Sequence, residues 1–365
     1  MDRPTIDHRG PEFARLGTEC MEGVKAIFKM GDGQVFIYPG SGTGAWEAAI
    51  VNTLSPGDRV LMFETGHFAT LWKRMAENFG LAVDFVPGDW RHGADPAVLR
   101  QKLEQDSGRQ IKAVMCVHNE TSTGVTSRIA ELRQAMDAAD HPALLMVDVV
   151  SSLGSIDFRQ REWRVDVAVA GSQKGLMLPP GLGFNAVSPK ALAASKSARL
   201  PRAYWSWEEM IPANGAGFFP YTPGTNLLYG LREAIRILVH VEGLENVFKR
   251  HARHAEATRR AVRAWGLELL CLEPAEYSNS LTAIVMPEGR NEAEFRKVVL
   301  ENFDLSLGAG LGRLAGRVFR IGHLGDLNDL MLCGTLCGVE MGLEKASVPF
   351  TKGGVAAALA FLAAS

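Results

Sequence analysis

Four short stretches of this 365-residue chain put reactive or charged side chains directly after apolar runs. In an open α/β sheet that is where ligands bind. The first is Gly40-Ser41-Gly42-Thr43-Gly44, between an apolar run and a helical pattern. Glycines let backbone N–H groups approach an anion, and a helix N-terminus favours negative charge. Ser41 and Thr43 add hydroxyl donors, so the stretch suits a phosphate. With Ala45 last and Glu64 ending the next strand, it also fits a Gly-x-Gly-x-x-Ala dinucleotide pattern. A tight turn with no ligand is a third reading. The second stretch ends at Asp148, which closes the apolar run from Ala143. A buried acid is costly without a partner, and a cationic ring nitrogen is one partner that justifies it. A helix cap or a structural salt bridge is the plain alternative. The third holds Lys174, in Ala170-Gly171-Ser172-Gln173-Lys174-Gly175. Desolvation at a strand end lowers a lysine pKa and frees the amine for imine chemistry; a surface-loop lysine is the alternative. The fourth holds Arg320, inside the apolar stretch Phe319-Arg320-Ile321-Gly322-His323. Its planar fork suits a carboxylate, and an internal ion pair would also explain it.

Taken together, the four point to one cofactor more than any does alone. Pyridoxal phosphate needs an anion cradle, an acid for its pyridinium nitrogen and a lysine for its aldehyde. An amino-acid substrate adds the need for a carboxylate clamp. A nicotinamide enzyme would use the glycine-rich turn but has no need of Asp148 and Lys174.

Apolar runs that read as strands alternate with helical patterns and position these groups. Strands are expected at Val35–Tyr38, Arg59–Phe63, Ala82–Val86, Ile111–Val117, Ala143–Val149, Val165–Ala170 and Gly183–Val187. Helices are expected at about Gly44–Leu54, Phe68–Gly80, Asp95–Gln105 and Ser127–Ala139. An Asp-Pro cap signal opens the third of these. Nearly continuous apolar strands suit a sheet covered on both faces, and strand–helix alternation implies mostly parallel pairing. After the helical pattern Leu227–Val241 the texture changes. A long charged helix, Leu244–Trp265, leads to short strands at Leu267–Cys271, Ser280–Met286 and Val318–Ile321, with a helix at Glu292–Asn302 and closing helices. The expected division is a large α/β domain over 1–241 and a smaller α+β domain over 242–365.

Composition narrows the function classes. The apolar set is 47% and the charged set 22%, which argues against wholesale disorder. The net charge of −2 and the lack of a basic block give no footprint for nucleic acid. No apolar run is long enough for a membrane span, and the opening Met1-Asp2-Arg3-Pro4 has no signal core. The short Ala-rich tail Gly353–Ser365 reads as a terminal packed helix. The five cysteines show no Cys-x-x-Cys spacing, which favours free thiols in the cytoplasm and no metal. Cys333 and Cys337 share a helical face in Leu330–Leu343, as a packed helix explains.

The sequence resembles class V aminotransferases of the fold-type I pyridoxal phosphate superfamily, in the alanine–glyoxylate and serine–glyoxylate group. The resemblance is carried by Ser41-Gly42-Thr43-Gly44-Ala45-Trp46-Glu47-Ala48, His118-Asn119-Glu120-Thr121-Ser122-Thr123-Gly124 and Val147-Asp148-Val149-Val150-Ser151-Ser152-Leu153-Gly154. Gly171-Ser172-Gln173-Lys174-Gly175 and Phe319-Arg320-Ile321-Gly322-His323-Leu324-Gly325 complete it, in family order across nearly the whole chain. It implies a mostly parallel large-domain sheet with a smaller C-terminal α+β domain. It implies that Lys174 carries the cofactor and acts as base then acid, and that Asp148 faces the pyridinium nitrogen. Ser41, Gly42, Thr43 and Gln173 match phosphate positions, and Phe68 matches an aromatic stacked on the ring. Thr121 and Val150 match positions touching the ring and its hydroxyl side. Thr222, with Thr225 assisting, matches a phosphate contact from the other subunit of a homodimer whose site lies at the interface. Arg320 matches the substrate-carboxylate arginine. The implied reaction moves an amino group from serine, alanine or aspartate to glyoxylate. A pyridoxamine–pyruvate aminotransferase or a related lyase is the alternative. His8, Arg9 and His323 are cationic candidates for a donor's second carboxylate. Family members begin with a Gly-Pro-rich arm, and this chain is expected to start inside it, at Arg3–Gly10.

Overall fold

The computed structural model describes residues 3–364. Met1 and Asp2, part of the opening read above, and Ser365, the end of the expected terminal helix, lie outside the described residues. Helix α1 (Pro11–Ile27) precedes β1 (Gln34–Gly40). Then follow α2 (Gly42–Thr53), β2 (Arg59–Phe63), α3 (His67–Asn78), β3 (Ala82–Val86), α4 (Pro96–Gln105) and β4 (Ile111–Val117). A short hairpin of β5 (Asn119–Glu120) and β6 (Val125–Thr126) comes before α5 (Ile129–Ala138), β7 (Leu144–Asp148), β8 (Val167–Gly171) and β9 (Gly181–Val187). The Asp-Pro signal acts as read: the Asp95 side chain accepts from Ala97 N at 2.8 Å and caps α4.

Seven strands form one sheet in the order β1-β9-β8-β7-β4-β2-β3. Only β9 runs antiparallel to its neighbours; the remaining pairings are parallel. The carboxyl ends of β1, β2, β4, β7 and β8 therefore share one edge, where the candidate residues emerge. Both faces are covered. Phe13 of α1, Leu99 of α4, Leu132 of α5 and Leu228 of a later helix pack on one side. Trp46 of α2 and Trp72 of α3 pack on the other. The strands β7 and β8 are buried along their whole length, as two covered faces require.

Three helices link this sheet to the rest: α6 (Pro189–Ser195), α7 (Trp207–Gly215) and α8 (Thr225–Ile235). The sequence pattern predicts one helix over Leu227–Val241, but α8 ends at Ile235 and a π-helical stretch runs Arg236–Val241. The wider turn takes Val241, 64% exposed, off the stripe that buries Leu231, Ile235 and Leu238. Helix α9 (Leu244–Ala264) leads to β10 (Glu268–Leu269), β11 (Leu281–Val285), α10 (Glu292–Phe303), β12 (Val318–Gly322), α11 (Asp329–Lys345) and α12 (Gly354–Ala364). Strands β10, β11 and β12 form an antiparallel sheet. Its core gathers Trp265, Phe295, Phe319, Leu336 and Leu362. Among the described residues, no helix is long and apolar enough to cross a membrane.

Candidate active site

Ser41 caps α2: it has extended backbone, and its Oγ accepts from Gly44 N at 3.4 Å. The first N–H groups of a helix have no intrahelical partner, so the turn offers donors at the sheet edge. A Cβ on Gly42 would meet Val150 Cγ2 at 2.6 Å. One on Gly171 would lie 2.8 Å from Gln173 Oε1 and 3.3 Å from Gly42 N. These close approaches bring Ser41–Thr43, Val150 and Gln173 together, and at Gly42 the branched Val150 side chain leaves no room for a Cβ. Gln173 Oε1 is buried without a hydrogen-bond partner.

Asp148 is 4% exposed at the end of β7. Its Oδ1 accepts from Val150 N at 2.7 Å and its Oδ2 from Trp46 Nε1 at 3.0 Å. Burial lifts its pKa to about 7, and the nearby Glu120 charge adds to this; the two donors and Lys174 act the other way. Lys174 follows β8 and is partly buried. Burial and the Arg320 charge both pull its amine below the ordinary lysine pKa, against a weaker pull from Asp148. The carbonyl of Lys174 accepts from Met177 N at 2.9 Å. The chain passes so close beneath that a Cβ on Gly175 would sit 2.2 Å from Leu153 O.

Phe68 stands in the first turn of α3, edge-on to Trp46 with centroids 6.5 Å apart. Glu120 holds that turn from outside. It is fully buried and accepts from Phe68 N at 3.3 Å, Ala69 N at 3.1 Å, Ser122 N at 3.1 Å and Ser122 Oγ at 2.7 Å. Burial raises its pKa while these donors oppose the rise. A carboxylate at a helix N-terminus complements the helix dipole. Gly66 makes room for it, since a Cβ there would lie 2.4 Å from Glu120 Cγ. Glu120→Ala leaves the Phe68 and Ala69 N–H groups without their acceptor, so it should destabilise the fold by about 3 kcal/mol. Urea unfolding checks this; an unchanged midpoint would remove Glu120 from the role.

Arg320 lies on β12 of the smaller sheet and reaches the same place. Its Nε donates to Ala309 O at 2.9 Å and its Nη1 to Thr121 O at 2.6 Å. Among the described residues it forms no salt bridge, so a direct internal ion pair does not explain it; burial pulls its pKa down, and the charges of Glu120 and Glu292 act on it from farther off. Thr222 is exposed, and Thr225 is buried at the start of α8. Among the described residues, no hydrogen bond joins either to Ser41, Gln173 or Asp148. His323 is 0% exposed, faces Thr282 Oγ1 at 3.0 Å, and has its pKa pushed down to about 3 by burial. It is therefore not a cation for a substrate's second carboxylate.

Two residues, Trp46 and Glu120, sit in the stretches singled out by sequence but received no role there. Their partners are distant in the chain: Trp46 and Asp148 are 102 positions apart, and Glu120 and Phe68 are 52 apart. Trp46 follows Gly44-Ala45 and Glu120 follows His118-Asn119, and neither local context marks a role.

The aminotransferase class-V family model matches residues 3–311. A serine–glyoxylate aminotransferase of Methylorubrum extorquens is 51% identical over 362 residues, 98% of this chain and 90% of that protein. An L-aspartate–glyoxylate aminotransferase of Paracoccus denitrificans is 49% identical over 360 residues, again 98% and 90%. Among solved structures, the pyridoxamine–pyruvate aminotransferase of Mesorhizobium loti superimposes with a TM-score of 0.91 at 27% identity, over 99% of this chain and 92% of that one. The strand order also departs from the dinucleotide-binding order, which removes that reading of Gly40–Ala45. The chain belongs to the class-V aminotransferase family.

Proposed function

We propose that this enzyme uses pyridoxal phosphate to move the amino group of a small L-amino acid, namely serine, alanine or aspartate, to glyoxylate. The observation that carries the reading is the meeting of Lys174, Asp148 and Arg320 at one sheet edge. Lys174 is an amine depressed by burial, Asp148 a carboxylate whose ionised form burial penalises, and Arg320 a guanidinium that forms no salt bridge among the described residues. The residues fit the cofactor. The Ser41 turn and the first N–H groups of α2 offer donors to an anion, the buried Gln173 amide beside them leaves Oε1 without a partner and can turn its Nε2 donor outward instead, and a cationic ring nitrogen would complement Asp148.

When bound, pyridoxal phosphate supplies an aldehyde for the amino group and a ring that accepts electrons from the substrate's Cα. Ser41, the Gly42 and Thr43 N–H groups, and Gln173 hold the phosphate at the start of α2. Asp148 keeps a proton at the ring nitrogen. Phe68 covers one ring face, and Thr121 and Val150 line the ring and its hydroxyl side. Arg320 grips the α-carboxylate and so orients the Cα–H bond. Lys174 Nζ, favoured in its neutral form, takes the proton from Cα and later returns one, as base then acid. Thr222, with Thr225, reaches the phosphate of a second copy. Next to Thr222, Tyr221 stacks on Tyr204, which is 43% exposed, an apolar surface that a second copy would cover. We infer a homodimer with residues 1–241 and 242–365 as its large and small domains. Five free cysteines suit the cytoplasm.

The reading is tested by the near-visible absorbance of the protein loaded with cofactor. Serine, alanine, aspartate and pyridoxamine are added separately. At least one amino acid should bleach the band, and glyoxylate should restore it. Bleaching by pyridoxamine alone would favour the second reading, a pyridoxamine–pyruvate aminotransferase, which the likeness to the Mesorhizobium loti enzyme keeps in view. A protein that takes up no cofactor would refute both.

A further inference from the structure

Trp46 is 3% exposed and lies between two other aromatic rings. It stacks on Trp72 of α3, with centroids 5.8 Å apart and planes 15° from parallel, and it meets Phe68 edge-on. Packing alone does not require its N–H to be aimed. Trp72 beside it is fully buried, and its Nε1 has no partner at all. The Trp46 Nε1, in contrast, donates to Asp148 Oδ2 at 3.0 Å, opposite the Val150 N–H on Oδ1. Each carboxylate oxygen then carries one fixed donor and keeps one lone pair.

Resting on the reading that pyridoxal phosphate binds with its ring nitrogen at Asp148, we propose that Trp46 is a positioning residue. Its indole N–H holds the Asp148 carboxylate ionised and in a fixed plane, so the proton shared with the ring nitrogen stays on the ring. A buried carboxylate and a pyridine compete for one proton. Burial alone favours the neutral pair, with the proton on the acid. N–H donors aimed at the carboxylate favour the ionised pair. The Val150 N–H aids ionisation most, and Trp46 is the side chain that adds to it on the other oxygen. Glu120 repels the ionised form, and Cys116 is a buried thiol with its pKa pushed up to about 12, so it is neutral. Lys174 is a weaker influence than Trp46. The helix adds a second consequence. Gly42, at the phosphate cradle, and Trp46 share α2, four positions and about 6 Å of axial rise apart. One rigid element therefore fixes the cradle relative to the acid.

The test uses Trp46→Phe, which keeps an aromatic ring and removes the donor. Wild type and variant are loaded with pyridoxal phosphate labelled with 15N in the ring. Protonated and neutral ring nitrogens resonate far apart. The wild type should show the protonated form, and the variant should move toward the neutral one. Cofactor affinity should fall about tenfold, as expected for one lost charge-assisted hydrogen bond. A merely structural role for Trp46 would not move the nitrogen signal. A loaded variant with wild-type signal and affinity overturns the inference and leaves the proposed function intact. If the wild type takes up no cofactor, the proposed function fails instead. A second measurement serves if Trp46→Phe does not fold. In cofactor-free protein labelled with 15N at its tryptophans, Asp148→Ala should shift one indole N–H signal strongly away from its hydrogen-bonded position. No such shift overturns the inference.

Discussion

Lys174→Ala protein is expected to fold, to bind pyridoxal phosphate without a covalent link, and to lose about 10⁴-fold in turnover. The fold survives because Lys174 contributes little to packing. Among the described residues its side chain forms no ion pair, and the turn around it is set by the backbone bond from Met177 N to Lys174 O and by the tight passage of Gly175 over Leu153. Its chemistry does not survive, because the neighbouring cation cannot take over. Arg320, whose charge lowers the Lys174 pKa, is a guanidinium and stays protonated. Borohydride reduction followed by peptide mapping should find the cofactor on the Lys174 peptide in the wild type and nowhere in the variant. Turnover within tenfold of wild type would remove Lys174 from the mechanism.

Arg320→Ala should lower kcat/KM by about a hundredfold or more for amino donor and glyoxylate alike, since truncating one partner of a desolvated charge pair costs about 2–5 kcal/mol. Both half-reactions present a carboxylate to the same guanidinium. Arg320→Lys should recover only part of the loss. The guanidinium uses Nε and Nη1 on the carbonyls of Ala309 and Thr121, which leaves Nη2 fixed in direction. An ammonium on a flexible stem has no such fork. Steady-state kinetics on both substrates, with cofactor affinity measured separately, distinguishes this from a damaged cofactor site. An unchanged KM for both substrates in Arg320→Ala would refute the clamp.

The strands of the large sheet were legible because each is an apolar run bounded by turn residues; β2, β3 and β4 fall where the pattern puts them. The edge that gathers Asp148, Lys174 and the α2 turn was legible for the same reason: parallel pairing sends every strand end the same way. Helix α1 was not read, although Pro11 opens it and Phe13, Leu16, Cys20, Val24 and Ile27 line its buried face. Gly17 and Gly23 weaken the local helical signal. The structure gives their reason, since a Cβ would strike Gly217 O at 2.2 Å or the Ile235 side chain at 2.5 Å. Helix α7 carries Pro212 inside it and ends at Gly215, so propensity argued against it as well. The support around the site was illegible for a different reason. Trp46 and Glu120 act on groups that only folding brings near, and no spacing rule connects them.

The turn between β5 and β6 serves two masters. Through Glu120 it fixes the helix that presents Phe68, and through the carbonyl of Thr121 it sets where Arg320 points. Anyone retooling this protein for a bulkier or more acidic donor inherits that coupling. A substitution in Asn119–Gly124 that widens the space for the incoming molecule would disturb the ring cover and the carboxylate grip together. Productive changes of preference must therefore come from walls that touch neither.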